Sequence, residues 1–279
     1  MRIAARWFAL LALICLTAPS SVFAQQSEVS LVRLDCGTPR TPVFAEINNR
    51  FSDTQAYKSL AITLVYSCYL IKHGNDYLLW DAGLSMSHAL APKVGLIDLL
   101  AKLSVKPDDI KYLAISHYHF DHIGQANSFG RSTLLIGQGD WEMVTSPRSL
   151  SGNFKPLIDP DLLSNWVEKK GQLETVIGDK DIFGDGTVVM LYTPGHTPGH
   201  HVLLVKLSSY GNVILSGDMA HFRENYESNG VPVFNTDRAQ TLASIERVKQ
   251  LATNLNAKVI IQHDSREVGL LPSFPNFAR

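Results

Sequence analysis

Between Ser116 and His122 the chain reads Ser-His-Tyr-His-Phe-Asp-His, placing three imidazoles and a carboxylate side by side. In an extended stretch alternate side chains share a face, so His117 and His119 project together and two ring nitrogens can reach one cation at about 2.0–2.1 Å. A turn at Phe120–Asp121 would bring Asp121 and His122 toward a second cation. Imidazoles and carboxylates are ligands that divalent transition metals favour, and core packing has no use for histidine at this density. Three further residues are weaker by themselves: His196 in Thr193-Pro194-Gly195-His196, Asp218 in Ser216-Gly217-Asp218, and His263 in Gln262-His263-Asp264. A histidine after Pro-Gly and an aspartate after Gly ordinarily mark turns.

The segments that precede these residues strengthen them. Apolar runs predict strands over Val29–Leu34, Thr63–Ile71, Tyr77–Trp80, Tyr112–Ile115, Thr133–Ile136, Val188–Tyr192, Val202–Leu207, Asn212–Leu215 and Lys258–Ile261. Helical spacing predicts Leu96–Leu103, Gly139–Val144 and Arg238–Asn254. In the last of these Leu242, Ile245, Val248, Leu251 and Leu255 form one stripe, with Thr236 or Asp237 as N-cap. Interleaved strands and helices indicate an α/β fold with helix-covered sheets. Four of the strands lead into the residues named above: Tyr112–Ile115 into His117, Val188–Tyr192 into His196, Asn212–Leu215 into Asp218, and Lys258–Ile261 into His263. Residues just past strand ends in such folds surround a common crevice, so side chains distant in sequence would meet there.

The 279 residues, 45% apolar and 18% charged, suffice for a large core in one domain or in two fused halves. At the start Arg2 and Arg6 precede an apolar run from Trp7 to Leu16, then Pro19, Ser20, Ser21 and Val22-Phe23-Ala24. This order predicts a signal peptide over residues 1–24, cleaved after Ala24, with 25–279 as the folded domain. The apolar run is shorter than the roughly 20 residues that span a bilayer, so no stable membrane anchor is expected after cleavage. The protein is expected to be exported, either to the periplasm or out of the cell. Losing Arg2 and Arg6 takes the formal net charge from −1 to −3. Together with the absence of a basic cluster this disfavours nucleic acid and leaves a small molecule as the expected partner. Cys15 departs with the signal; Cys36 and Cys68 then form either a disulfide, which an oxidising compartment permits, or two buried thiols. The C-terminal segment Leu270–Pro275 packs either near the pocket or at a contact within a homo-oligomer.

With these motifs the chain resembles the metallo-β-lactamase superfamily. The superfamily's His-x-His-x-Asp-His signature stands as His117–His122, its next histidine as His196, its bridging aspartate as Asp218 and its last histidine as His263. The resemblance implies a four-layer αβ/βα sandwich. It also implies one metal held by His117, His119 and His196, a second held by Asp121, His122 and His263, and Asp218 between them. Two Zn²⁺ per chain suit so imidazole-rich a set, with other divalent transition metals as substitutes. Members that bind iron for redox work often carry glutamate where His119 stands, so the histidine favours hydrolysis. A hydroxide shared by two cations would attack a polarised carbonyl, and Asp121 would orient it or pass a proton to the leaving oxygen. Asp81, in Trp80-Asp81-Ala82-Gly83, either supports a ligand histidine or serves only as a turn.

Within the superfamily the chain looks most like the N-acyl-homoserine lactonases, through Ser116–Gly124, Thr193–Val205, Asp218 and His263-Asp264. The likeness implies opening of the lactone ring of an acylated homoserine lactone, and so quenching of quorum signals. Those lactonases commonly carry a tyrosine three residues after the bridging aspartate; here His221 takes that place, either as a donor to the developing oxyanion or as a surface histidine. His200 and His201 begin a strand and are assigned no ligand role. Met86, Tyr118, Phe120 or Phe222 are the apolar residues expected to line an acyl pocket. A metallo-β-lactamase proper is the nearest rival, though its common forms lack the bridging aspartate. A thioesterase resembling glyoxalase II shares the whole ligand set, and a non-catalytic binding protein would be expected to have lost ligands.

Overall fold

A strand with apolar residues on both faces needs cover on both sides, and the protein meets this need with four layers. The structure is a computed structural model that describes residues 28–42, 49–57, 59–146 and 157–279; the predicted signal peptide lies outside the described residues. One sheet runs in the order β1 (Val29–Arg40), β2 (Leu64–His73), β3 (Asp76–Trp80), β4 (Ile110–Ala114), β5 (Thr133–Gly137) and β6 (Leu173–Val176). Its β1–β2 and β2–β3 pairs are antiparallel and the remaining pairs parallel. The second sheet holds β7 (Lys180–Asp181), β8 (Val188–Tyr192), β9 (His201–Leu207), β10 (Gly211–Leu215) and β11 (Lys258–Ile260), in the order β11-β10-β9-β8-β7.

Alternation along each strand divides the core. Leu31, Ile71, Leu78 and Ala114 of the first sheet meet Met190, Leu203, Val205 and Leu215 of the second across a shared interior. Their neighbours Val32, Leu70, Leu79 and Leu113 face outward, onto helix α1 (Leu96–Lys102) and the segment carrying Trp166. On the far side Val202, Leu204 and Ile214 face helix α6 (Arg238–Asn254), which returns Ile245 and Val248. Each fully buried Leu, Ile or Val contributes roughly 1.5–3 kcal/mol. Further helices among the described residues are α2 (Phe120–Ile123), α3 (Gln138–Thr145), α4 (Ser164–Val167) and α5 (Arg223–Ser228). None of the helices among the described residues is long and apolar enough to cross a membrane.

Helix α6 has the predicted bounds, and of the two candidate caps Asp237 does the capping, accepting from Gln240 N at 2.9 Å. Its first turns depart from the predicted stripe. Leu242 is only half-buried, whereas Thr241 and Ser244 are buried. This end of the helix grips the loop before His196: Ser244 Oγ donates to Pro194 O at 2.7 Å, and Gly195, at φ +133°, lies so close to Thr241 that a Cβ would meet its backbone nitrogen at 2.2 Å. Strands β6 and β7 were not foreseen, because they are short, largely polar edge strands. The C-terminal segment packs away from the pocket, with Leu271 and Ala278 in the inter-sheet core and Ala278 bridged to Leu31 on β1.

Cys36 on β1 and Cys68 on β2 are joined in a disulfide, with Cα atoms 5.8 Å apart. Cys36 also presses on Gly83, where a Cβ would come within 2.4 Å of the Cys36 Cβ and where φ is +58°. The disulfide thus backs the Asp81–Gly83 turn. Replacing both cysteines by alanine is expected to lower unfolding stability by roughly 2–4 kcal/mol. Urea titrations with and without reductant check this; a wild-type midpoint indifferent to reductant counts against it.

Candidate metal centre

Four strand ends deliver the site. His117 and His119 follow β4, Asp121 and His122 sit on the single turn of α2, His196 follows β8, Asp218 follows β10, and His263 follows β11. His201 N donates to Ser116 O at 2.9 Å and Ser216 N to Ile260 O at 3.0 Å, tying these ends together. Two groups of potential ligand atoms result, each lying within 4.8 Å of one another: His117, His119, His196 and Asp218 in one, Asp121, His122, Asp218 and His263 in the other. Asp218 belongs to both. Its Oδ2 is 3.6 Å from His117 Nε2 and 3.4 Å from His196 Nε2, while its Oδ1 is 3.1 Å from His122 Nε2 and 2.9 Å from His263 Nε2. Asp121 Oδ2 lies 3.9 Å from His122 Nε2 and 3.7 Å from His263 Nε2.

The donor set fits divalent cations. His196 Nε2 faces His117 Nε2 at 3.1 Å and His119 Nδ1 at 3.0 Å, and His122 Nε2 faces His263 Nε2 at 3.2 Å. Three ring nitrogens converging on one point cannot all be satisfied by protons, but they match the edges of a tetrahedron, about 3.3 Å for ligand bonds of 2.0–2.1 Å. Asp218 Oδ1 is buried and accepts no hydrogen bond. Burial pushes His117 and His119 well below the ordinary histidine value and His196 down to about 3, so these rings present lone pairs. Burial also opposes charge on His122 and His263, yet Asp218 and the neighbouring carboxylates raise both above the usual value. Cation binding there would displace protons.

The rings are held from behind. His122 Nδ1 donates to Asp81 Oδ2 at 2.8 Å, His196 Nδ1 to Asn235 Oδ1 at 2.9 Å, and His263 Nδ1 to Val65 O at 2.6 Å. Asp81 also accepts from Ser116 N at 2.7 Å and from Gln262 Nε2 at 2.5 Å, and its φ is +61°. Both roles left open for Asp81 are thus combined: the residue shapes the turn and orients a ligand ring. His200, one of the two histidines without a ligand role, accepts from Asp218 N at 3.0 Å, and His201 bonds the carbonyls of Gly199 and Gly178. Asp140, unforeseen, is fully buried beneath the His196 loop, accepting from Gly199 N at 2.6 Å and Thr197 Oγ1 at 2.9 Å; burial pushes its pKa up to about 7. Asp140, Asn235 and Gln262 carry no sequence signal, since each is a single polar residue without a pattern.

His221 is 5% exposed and so is not a surface histidine. Its Nε2 lies 3.1 Å from Asp218 Oδ2, its ring stacks over His263 at 5.7 Å, and it meets Phe51 edge-on at 5.1 Å. A cavity of about 160 Å³ opens above the two groups, walled on its apolar side by Phe51, Leu64, Phe120, Leu157 and Phe234. Of the four expected pocket residues only Phe120 lines it. Tyr118 points the opposite way from His117 and His119, as alternation along an extended stretch demands, and is fully buried in the core. Phe222 likewise alternates with His221 and packs against Tyr57 at 5.2 Å, while Met86 is 53% exposed and outside the cavity. Asp81→Asn is expected to weaken metal binding by about 10–100-fold, read by competition with a chromogenic chelator; wild-type affinity would remove Asp81 from the support of the site.

The profile of the metallo-beta-lactamase superfamily matches residues 62–263. An N-acyl homoserine lactonase, AttM, of Rhizobium radiobacter is 27% identical over 216 residues, 70% of this chain and 80% of the relative. An N-acyl homoserine lactonase of Bacillus cereus is 28% identical over 228 residues, 75% of this chain and 85% of the relative. Among solved structures, a quorum-quenching N-acyl homoserine lactone lactonase superposes with a TM-score of 0.73 at 22% identity, covering 91% of this chain and 99% of that one. The dizinc quorum-quenching lactonase AidC superposes with a TM-score of 0.67 at 18% identity, covering 91% of this chain and 90% of that one. These likenesses in space are likenesses of fold. The matched region runs through all seven convergent side chains to His263, and the chain belongs to the metallo-beta-lactamase superfamily.

Proposed function

We propose that this protein is an exported hydrolase with two zinc ions that opens the lactone ring of N-acyl-homoserine lactones. The observation that carries the reading is the placement of Asp218, whose two oxygens each face a separate ligand group at the floor of an apolar-walled cavity. Lactonase relatives matching along 70–75% of the chain support the substrate class. When bound, the two cations supply Lewis acidity and a water acidic enough to be deprotonated near neutral pH. His117, His119 and His196 would hold one and Asp121, His122 and His263 the other, with Asp218 between them.

The chain's own residues do the rest. Hydrolysis adds water to the ester carbonyl, breaks the ring carbon–oxygen bond and moves one proton to the leaving ring oxygen, giving a hydroxyl and a carboxylate. Asp121 suits the proton transfer. It is the one carboxylate of the set with appreciable exposure, 16% for its side chain, and it lies on the cavity wall. His221 Nε2 lies 3.1 Å from Asp218 Oδ2, so its first task is to fix the carboxylate that would stand between the two cations. Phe51, Phe234 and Leu64 shed water and offer a surface for an acyl chain. The export reading is supported by the order of residues in 1–24 and by the Cys36–Cys68 disulfide.

Three outcomes are expected. In a panel of acyl-homoserine lactones, a cephalosporin and a glutathione thioester, the lactones are opened fastest and chelation abolishes turnover; activity confined to the thioester would sink the lactonase assignment. His221→Ala lowers kcat on a lactone by about ten- to a hundredfold while metal content stays near that of the wild type, and an unchanged rate would take His221 out of the mechanism. Intact-mass measurement of the protein exported by its host finds a chain beginning at Gln25; a chain retaining Arg2 and Arg6 contradicts cleavage after Ala24.

A further inference from the structure

Asp140 is a fully buried carboxylate that belongs to neither ligand group. Burying a carboxylate is costly unless donors satisfy it. Here the donors are neutral: Oδ1 accepts from Gly199 N at 2.6 Å and Oδ2 from Thr197 Oγ1 at 2.9 Å. An apolar side chain would fill the same volume without that cost, so what the carboxylate adds is its two hydrogen bonds. Both run to the loop that carries His196.

Asp140 lies in the first turn of α3, which follows β5 directly. That turn is pressed onto the loop. A Cβ on Gly199 would lie 2.4 Å from Asp140 N, and one on Gly137 only 1.9 Å from Gly199 O. His196 therefore stands between two clamps. Before it, Ser244 of α6 holds Pro194 and Thr241 packs on Gly195; after it, Asp140 of α3 holds Thr197 and Gly199. Gly195 N donates to Thr197 O at 3.0 Å and closes the turn between them. The bond from His196 Nδ1 to Asn235 orients the ring, whereas the clamps decide where its backbone stands.

His117 and His119 come from one stretch of chain, so His196 meets them only as well as its loop is placed. No residue of Thr193–Gly199 belongs to the second ligand group. His200, which accepts from Asp218 N, is held separately, its Nδ1 bonding Thr193 Oγ1 at 2.9 Å.

We propose that Asp140 is a positioning residue for the first ligand group: by fixing Thr197 and Gly199 against α3 it sets His196 on the point where His117 and His119 converge, and so sets the affinity of that group for its cation. The inference rests on the two-cation reading of the site and not on the identity of the substrate.

The test reads Zn²⁺ affinity by competition with a chromogenic chelator, one ligand group at a time. His263→Ala leaves the first group to bind alone, and His119→Ala leaves the second; each is measured with and without Asp140→Ala. Asp140→Ala is expected to weaken binding by about ten- to a hundredfold where the first group remains, and by less than about twofold where the second remains. Asp140→Asn keeps an acceptor for Gly199 N and can donate to Thr197 Oγ1, so it is expected to recover most of the loss. Should the alanine variant fail to fold, Thr197→Val removes one of the two bonds, with a smaller loss confined to the first group. Unchanged affinity of the first group overturns the proposal, as does an equal loss in both groups, which a general loosening of the fold would give. An asparagine variant as weak as alanine overturns it too. A wild type that binds no Zn²⁺ removes the two-cation reading itself, a result distinct from wild-type uptake that Asp140→Ala leaves untouched.

Discussion

Asp218 is a buried carboxylate facing imidazoles on every side, and the architecture can be understood as what it takes to keep it there. Burial alone would drive its charge out, but His263, His122, His221 and His117 together hold it well below the usual carboxylate range. Those rings come from two different strand ends, those of β4 and β11, and from the loop after Asp218 itself. They meet only because the two sheets are stacked with those ends on one side. An isolated buried charge would cost many kcal/mol, so the inter-sheet core and the ring-orienting bonds from Asp81, Asn235 and the Val65 carbonyl are conditions for the centre to exist.

Much of this was legible in the sequence, for identifiable reasons. Strands buried on both faces show as apolar runs, and β8 was bounded to the residue, as was α6 among the helices. The His117–His122 cluster stood out by density alone. What escaped has no periodic signature. Strands β6 and β7 are polar edges, and Asp140, Asn235 and Gln262 acquire their roles from residues 39 to 181 positions away. Thr241 and Ser244 displaced an apolar side chain from the expected stripe because helix α6 begins by holding a loop.

The pocket lining departs from the expected residues for a reason contained in the pattern. If His117 and His119 face the metals, Tyr118 between them must face the core, and the same alternation sends Phe222 away from the side on which His221 lies. Proximity in sequence to a ligand is therefore a poor guide to contact with substrate. Apart from Phe120, the walls named above come from elsewhere, among them Phe51 before β2, Leu64 at its start, and Phe234 ahead of α6.

That separation bears on how such a protein can change. The metal-bearing loops are anchored on both sides, since every second residue is a ligand or a core residue, and substitution there strikes the cations or the fold. The walls at Phe51, Leu64 and Phe234 contribute no metal ligand. New acyl groups, ring sizes or leaving groups can be accommodated by altering those walls alone, while the hydrolytic machinery beneath is inherited unchanged.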